Sequence, residues 1–178
     1  MFGYNRKTIG ILGGSFDPPH KGHVEISKIS LKKLKLRKVY WVITKKNPFK
    51  KKPFFSLKQR LTKIKKLVGK SKIIEVLYLD GIIRSSRSID VVKYILKKKK
   101  PKNLYFIIGS DILSELHKWK SWKKIVKLTK LVVFSRIGYD KTRKGSTVVK
   151  YLKKKNIIFI KNKPIQISST FLRKKKTN

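Results

Sequence analysis

The chain contains no cysteine. That removes disulfides, thiolate metal sites and cysteine nucleophiles together, and it fits a reducing cytoplasm. Acids are also scarce: eight Asp and Glu stand against 49 Lys and Arg in 178 residues. No cluster of carboxylates is left to build a cage for a divalent cation. There are only three histidines. No stretch of about twenty apolar residues occurs, so no membrane-spanning helix is expected. The opening MFGYNRKTIGILGG has a basic patch and a short apolar run. It lacks the long apolar core and the small-residue cleavage site of a secretory signal. What remains is 40 % hydrophobic, a globular composition. The length suits one domain over residues 1–178, with a frayed tail at 174–178.

The formal net charge is +41. A balance this basic raises nucleic acid as a partner. Only eight of the 49 cations are Arg, however, and the lysines are strewn along the whole chain. They fall in runs such as Lys50–Lys52, Lys97–Lys100, Lys153–Lys155 and Lys174–Lys176. Nucleic-acid readers instead gather Arg forks and stacking aromatics into one patch. The expectation is a lysine-coated enzyme with no specific nucleic-acid partner and no membrane partner. Its field would still attract polyanions, nucleotides included.

Apolar runs and helical periodicity alternate along the chain. Strands are expected at Thr8–Leu12, Val39–Ile43, Lys72–Leu77, Asn103–Ile108, Leu131–Phe134 and Ile157–Ile160. Helices are expected at Gly22–Leu34, after the capping box Ser56-Leu-Lys-Gln59 as far as Gly69, at Ile89–Leu96, from about Ile112 to Leu128, and at Val148–Lys154. Lys45–Phe55 reads as a Pro-containing basic loop, and Ser168 as the N-cap of a last helix. Alternation of this kind implies an α/β fold, a parallel sheet with helices on both faces. Ligands then sit at the C-terminal ends of the strands, at the switch point in strand order.

One stretch stands out. GGSFDPPHKGH, Gly13 to His23, lies where the first strand ends and the first helix begins. A helix N-terminus offers unpaired N–H groups and a partial positive charge to an anion. Gly13 and Gly14 let backbone come close to a phosphate. Neither G-x-G-x-x-G nor G-x-x-x-x-G-K-[ST] is present, so the phosphate would be gripped in another way. His20 and His23 are three apart, which on one helical turn puts them on one face. A zinc site would need a third ligand. The only other histidine is His117, and no nearby carboxylate cluster completes a site, so no metal site is expected. Asp17, in an Asp-Pro-Pro turn, has a structural reading through a side-chain to backbone bond, set against direct contact with a ligand.

This stretch resembles the (T/H)-x-G-H signature of the nucleotidyltransferase superfamily. Gly109–Ile125, GSDILSELHKWKSWKKI, and Ile167–Arg173, ISSTFLR, are similar to segments of bacterial nicotinate-nucleotide adenylyltransferases. The resemblance runs from Gly10 to Arg173. It implies a doubly wound, Rossmann-like parallel sheet and adenylyl transfer from ATP to nicotinate mononucleotide, with Mg²⁺ carried in by ATP. His20, His23 and Arg173 would be catalytic. ATP and its phosphates would meet Gly13, Gly14, Ser15, Phe16, Gly22, Gly109, Asp111, Ser168, Ser169 and Thr170. Trp119 and Ser88 would meet nicotinate mononucleotide, with Trp122 left to the core. Arg136, Lys46 and Lys50 are weaker candidates for the nucleotide. Arg87-Ser88 departs from the family's usual Tyr-Thr pair. Pantetheine-phosphate adenylyltransferase is the sister reading, and the tryptophan segment argues against it.

Overall fold

The computed structural model describes residues 8–45, 52–135, 145–153, 155–162, 169–170 and 172–173. Lys46, Lys50, Arg136, Ser168 and the tail at 174–178 lie outside the described residues. Six strands form one all-parallel sheet: β1 Thr8–Gly14, β2 Lys38–Ile43, β3 Ile74–Tyr78, β4 Asn103–Gly109, β5 Lys130–Phe134 and β6 Ile157–Ile160. Their order is β3-β2-β1-β4-β5-β6. The chain therefore starts in the middle, winds one way to β3, crosses back to β4 and winds the other way. β1 and β4 are neighbours, and the switch point lies between them.

The pleat sends alternate residues to opposite faces, and each face has its own helices. Ile9 and Ile11 of β1 point into one core with Phe106, Ile108, Leu131 and Val133. That core is closed by α4 Ser88–Lys99, α5 Ser110–Glu115, α6 Trp122–Leu128 and α7 Thr147–Leu152. Leu12 points the other way, to a second core with Trp41, Ile43, Val132 and Phe134. That core is closed by α1 Lys21–Leu34 and α2 Leu57–Val68. Gly10 shows how tightly this second core is packed. A Cβ there would lie 2.9 Å from both Ile107 Cδ1 and Leu36 Cδ1.

Local chemistry sets the element ends. The Ser56 capping box forms as the sequence implies: Gln59 N–H donates to Ser56 Oγ at 3.2 Å, and Ser56 N–H donates to Gln59 Oε1 at 2.9 Å. Gly69 caps the same helix at φ 58°, a left-handed value that favours glycine. β3 starts two residues later than expected. Ser71 Oγ takes the N–H groups of Ile73 and Ile74 and holds that stretch in a turn. A short helix, α3 Asp80–Ile83, follows β3 and is not visible in the periodicity.

The largest departure lies between Ile112 and Leu128, where one helix is expected. The structure has α5, a 3-10 turn at Leu116–Lys118, then a break before α6. Trp119 is extended at φ −76°, ψ 142°, and Ser121 is left-handed at φ 56°. Trp119 and Trp122 are therefore not on one helix. The 3.6-residue pattern survives across the break because Leu113, Leu116, Ile125 and Val126 all reach the same core. Periodicity reports burial, not continuity of hydrogen bonding.

Candidate active site

At the C-terminal ends of β1 and β4, the switch point opens as a cleft of about 580 Å³, a size that suits a nucleotide-sized ligand. Gly13, Gly14, Ser15 and Phe16 line it from β1 and its loop, and Gly109 and Asp111 from the end of β4. A Cβ on Gly13 would meet nothing within 4 Å, so this rim has open space that a ligand can enter. Ser88 and Trp119 line the far wall, and Ser169 and Thr170 contribute from the C-terminal segment.

His20 is the N-cap of α1, extended at φ −150°, ψ 166°. It precedes the helix rather than lying on its face. The two histidines are brought together by a reciprocal cap instead. His20 N–H donates to His23 Nδ1 at 3.2 Å, and His23 N–H donates to the His20 carbonyl at 2.9 Å. The ring centroids are 3.8 Å apart. Because Nδ1 of His23 accepts a bond, its neutral ring carries the proton on Nε2. His23 lines the cleft, whereas His20 is buried. The first turn of α1 carries no acid to oppose an anion there.

The sheet holds this turn firmly. Trp41, fully buried in β2, donates its indole N–H to Ser27 Oγ at 2.8 Å. Ser27 Oγ in turn donates to the His23 carbonyl at 2.9 Å. Phe16 stacks on Trp41 with centroids 5.0 Å apart and tilts against His23 at 4.9 Å. Phe16 has φ 48°, a left-handed value that a non-glycine residue holds only when its surroundings over-determine it.

The chain matches the model of the family described as cytidylyltransferase-like over residues 11–175. It is 45 % identical over 170 residues to a Pelagibacter ubique protein named "Probable nicotinate-nucleotide adenylyltransferase", covering 95 % of this chain and 94 % of that one. A Nitratiruptor protein of the same name is 41 % identical over 139 residues, 76 % of this chain and 77 % of that one. The chain belongs to the nicotinate-nucleotide adenylyltransferase family. Its fold is similar to that of a Plasmodium falciparum nicotinic acid mononucleotide adenylyltransferase complexed with NaAD. The TM-score is 0.76 at 23 % identity, over 95 % of this chain and 83 % of that one.

Not every residue expected at the site reaches the cleft. Gly22 is buried within α1. Arg173 turns to the β1 loop: Nη1 donates to the Asp17 carbonyl and sits 3.9 Å from its carboxylate, and Nη2 donates to Thr170 Oγ1 at 3.1 Å. Ser169 Oγ donates to the Pro18 carbonyl at 2.9 Å. Asp17 is buried, and its carboxylate accepts the N–H groups of Phe54 at 2.8 Å and Phe55 at 2.9 Å. These partners lie far along the chain, not in Asp17's own turn. Trp122 packs edge-on against Tyr151, away from the cleft. Among the described residues no group of three or more His, Cys, Asp or Glu is gathered for a metal.

Three residues around the site escape a reading of the sequence. Thr44 and Asp80 line the cleft. Asp80 Oδ2 accepts Thr44 Oγ1 at 2.9 Å and Lys45 N–H at 2.8 Å. Arg60 is 1 % exposed behind them. A signal for Arg60 exists. It falls between Leu57 and Ile64 on the apolar stripe of α2, where a cation needs a reason to stay.

Proposed function

We propose that the cleft carries out adenylyl transfer from ATP to nicotinate mononucleotide, giving nicotinate adenine dinucleotide and pyrophosphate, in NAD biosynthesis. An oxygen of the mononucleotide's 5′-phosphate attacks the α-phosphorus of ATP in line. The bond to that oxygen forms as the bond from the α-phosphorus to the bridging oxygen of pyrophosphate breaks. A phosphate with a second pKa near 6 is already a nucleophile at neutral pH, so the site needs no general base. Catalysis is then positioning and charge stabilisation.

His23 offers its Nε2 proton to a phosphate oxygen as charge builds, and His20 holds the His23 ring in place. Gly13, Gly14, Ser15 and Phe16 cradle the phosphates at the N-terminus of α1. Ser168, Ser169, Thr170 and Arg173 would form a second phosphate-binding segment, of which Ser169 and Thr170 line the cleft while Arg173 braces the loop after β1. Asp111 and Gly109 hold the adenosine side, while Trp119 and Ser88 take the pyridine ring. Mg²⁺ arrives with ATP, an ion that rides on substrate phosphates and keeps part of its water shell. The chain works as a single nucleotidyltransferase domain over residues 1–178, in the cytoplasm.

The observation that carries this reading is one cleft bounded by the His20–His23 turn on one side and Trp119 on the other. The experiment is a substrate panel that follows pyrophosphate release from ATP with nicotinate mononucleotide or with phosphopantetheine. Turnover with the mononucleotide alone is expected. Turnover with phosphopantetheine alone would overturn the acceptor assignment.

A further inference from the structure

Arg60 is the most deeply buried cation of the described residues, and the adenylyl-transfer chemistry does not use it directly. Burying a charge is costly unless it is well partnered. Its partners here are four carbonyls. Nε donates to Phe55 O at 3.1 Å, Nη1 to Ser15 O at 2.7 Å and Thr44 O at 2.8 Å, and Nη2 to Lys45 O at 2.9 Å. Burial pulls its pKa below the ordinary arginine value, while the Asp17 and Asp80 carboxylates and Tyr78 pull it back up. No stabilising dipole explains its place, because a cation near the start of α2 faces the positive end of that helix.

The four carbonyls belong to three segments: the loop after β1, the loop after β2, and the entry to α2. We propose that Arg60 is a positioning residue that locks the phosphate-binding loop after β1 to the loop after β2, so that both meet ATP in one fixed arrangement. The proposal rests on the adenylyltransferase reading above. Two further observations support it. In a trans peptide the C=O and N–H groups point in opposite directions. Gripping the Ser15 carbonyl from behind therefore turns the Phe16 N–H away from Arg60. Thr44 is also caged on every side: its N–H donates to Gly14 O at 3.2 Å, its carbonyl accepts from Arg60, and its hydroxyl donates to Asp80. Arg60 and Asp80 together tie the C-terminal ends of β1, β2 and β3 into one rim.

The test is Arg60→Lys. An ammonium has three donors and no planar fork, so it cannot serve four acceptors on three segments. We expect kcat to fall by about 10- to 100-fold, the cost of misplaced reacting groups. Affinity for a non-hydrolysable ATP analogue, titrated calorimetrically, should fall by at least about threefold, the worth of a lost hydrogen bond. KM for nicotinate mononucleotide should stay within about twofold of wild type. Calorimetry needs no acceptor, so it still reads the clamp if wild type proves inactive with nicotinate mononucleotide, which would sink the acceptor reading alone. A merely structural Arg60 would lower the melting temperature yet leave kcat and analogue affinity within twofold below that temperature, and this result overturns the proposal. Asp80→Asn covers the case in which Arg60→Lys does not fold. It keeps the shape but weakens the bonds to Thr44 and Lys45, and unchanged analogue affinity in that variant would overturn the proposal equally.

Discussion

The two walls of the cleft are built in different ways. The wall after β1 and β2 is a mesh of hydrogen bonds in which Arg60, Asp17 and Asp80 hold backbone groups of Ser15, Thr44, Lys45, Phe54 and Phe55. The wall after β4 adds apolar packing to a backbone turn in which Trp119 N–H donates to Leu116 O at 3.0 Å. Trp119 is half-buried, packs on the α4–α7 core and meets Phe106 edge-on at 6.3 Å. Hydrogen bonds fix direction, and apolar packing fixes shape with little directional demand. Aiming N–H groups at phosphate oxygens, the role proposed for the first wall, needs the first kind. Presenting a flat face to a ring, the role proposed for the second, needs only the second. Damage to the first wall should therefore appear chiefly in rate, with a smaller loss of affinity for ATP, and damage to the second in affinity for the mononucleotide alone.

The largest expected effect lies on the hydrogen-bonded wall. His23→Ala should lower kcat by at least roughly a hundredfold, the scale seen when one donor to a developing charge is lost. KM for ATP should change much less, because such a donor acts mainly in the transition state. Steady-state kinetics on a variant with an unchanged circular-dichroism spectrum checks this. Near-normal turnover would remove His23 from the chemistry and erase the contrast between the walls.

The apolar wall should respond differently. Stacking of an aromatic side chain on a base-like ring is worth about 1–3 kcal/mol, or roughly 5- to 150-fold in affinity. Trp119→Ala should weaken nicotinate mononucleotide by an amount in that range while KM for ATP stays nearly constant. Trp119→Phe should recover most of the loss. If Trp119 served only the core, truncation would cost about 3–5 kcal/mol of stability and harm both substrates alike. Kinetics for both substrates beside a melting curve separates the two outcomes.

What the sequence reveals of each wall follows from how that wall is built. The alternation of strands and helices, the Ser56 cap and the Gly13–His23 turn are local, and local rules find them. The strand order is written in no single segment: the resemblance implies a doubly wound sheet, and the order itself comes from the structure. The break at Trp119–Ser121 is hidden because burial keeps a helical period across a non-helical turn. Asp17 reads as a turn residue, yet its carboxylate reaches Phe54 and Phe55, a pairing that no local rule contains. Arg60 is the sharpest case. An Arg on an apolar stripe, in a chain that uses Lys nearly everywhere, is a visible anomaly, but its partners come from three separate segments and become apparent only once those are brought together.

The smallest expected effect lies outside both walls, on the lysine-rich surface. Lys97 and Lys98 sit exposed in the last turn of α4, remote in the fold from the strand ends that carry the cleft. Their charges suit the negative end of that helix, a weak and salt-screened term. Replacing both with Gln should leave kcat and both KM values within about twofold, and should shift the melting temperature by no more than about 2–4 °C. The same variant tests what the net charge of +41 does. If the charge is a diffuse field, RNA binding by wild type should be weak and should fade as salt rises, through release of counterions. Removing two of many equivalent lysines should then hardly change the salt slope. If this run were a dedicated nucleic-acid contact, each lost phosphate contact would flatten the slope by about 0.7–0.9, and affinity would drop sharply. A gel-shift titration at several salt concentrations separates these outcomes. A steep loss in the double variant would make the lysine surface a third functional region beside the two walls.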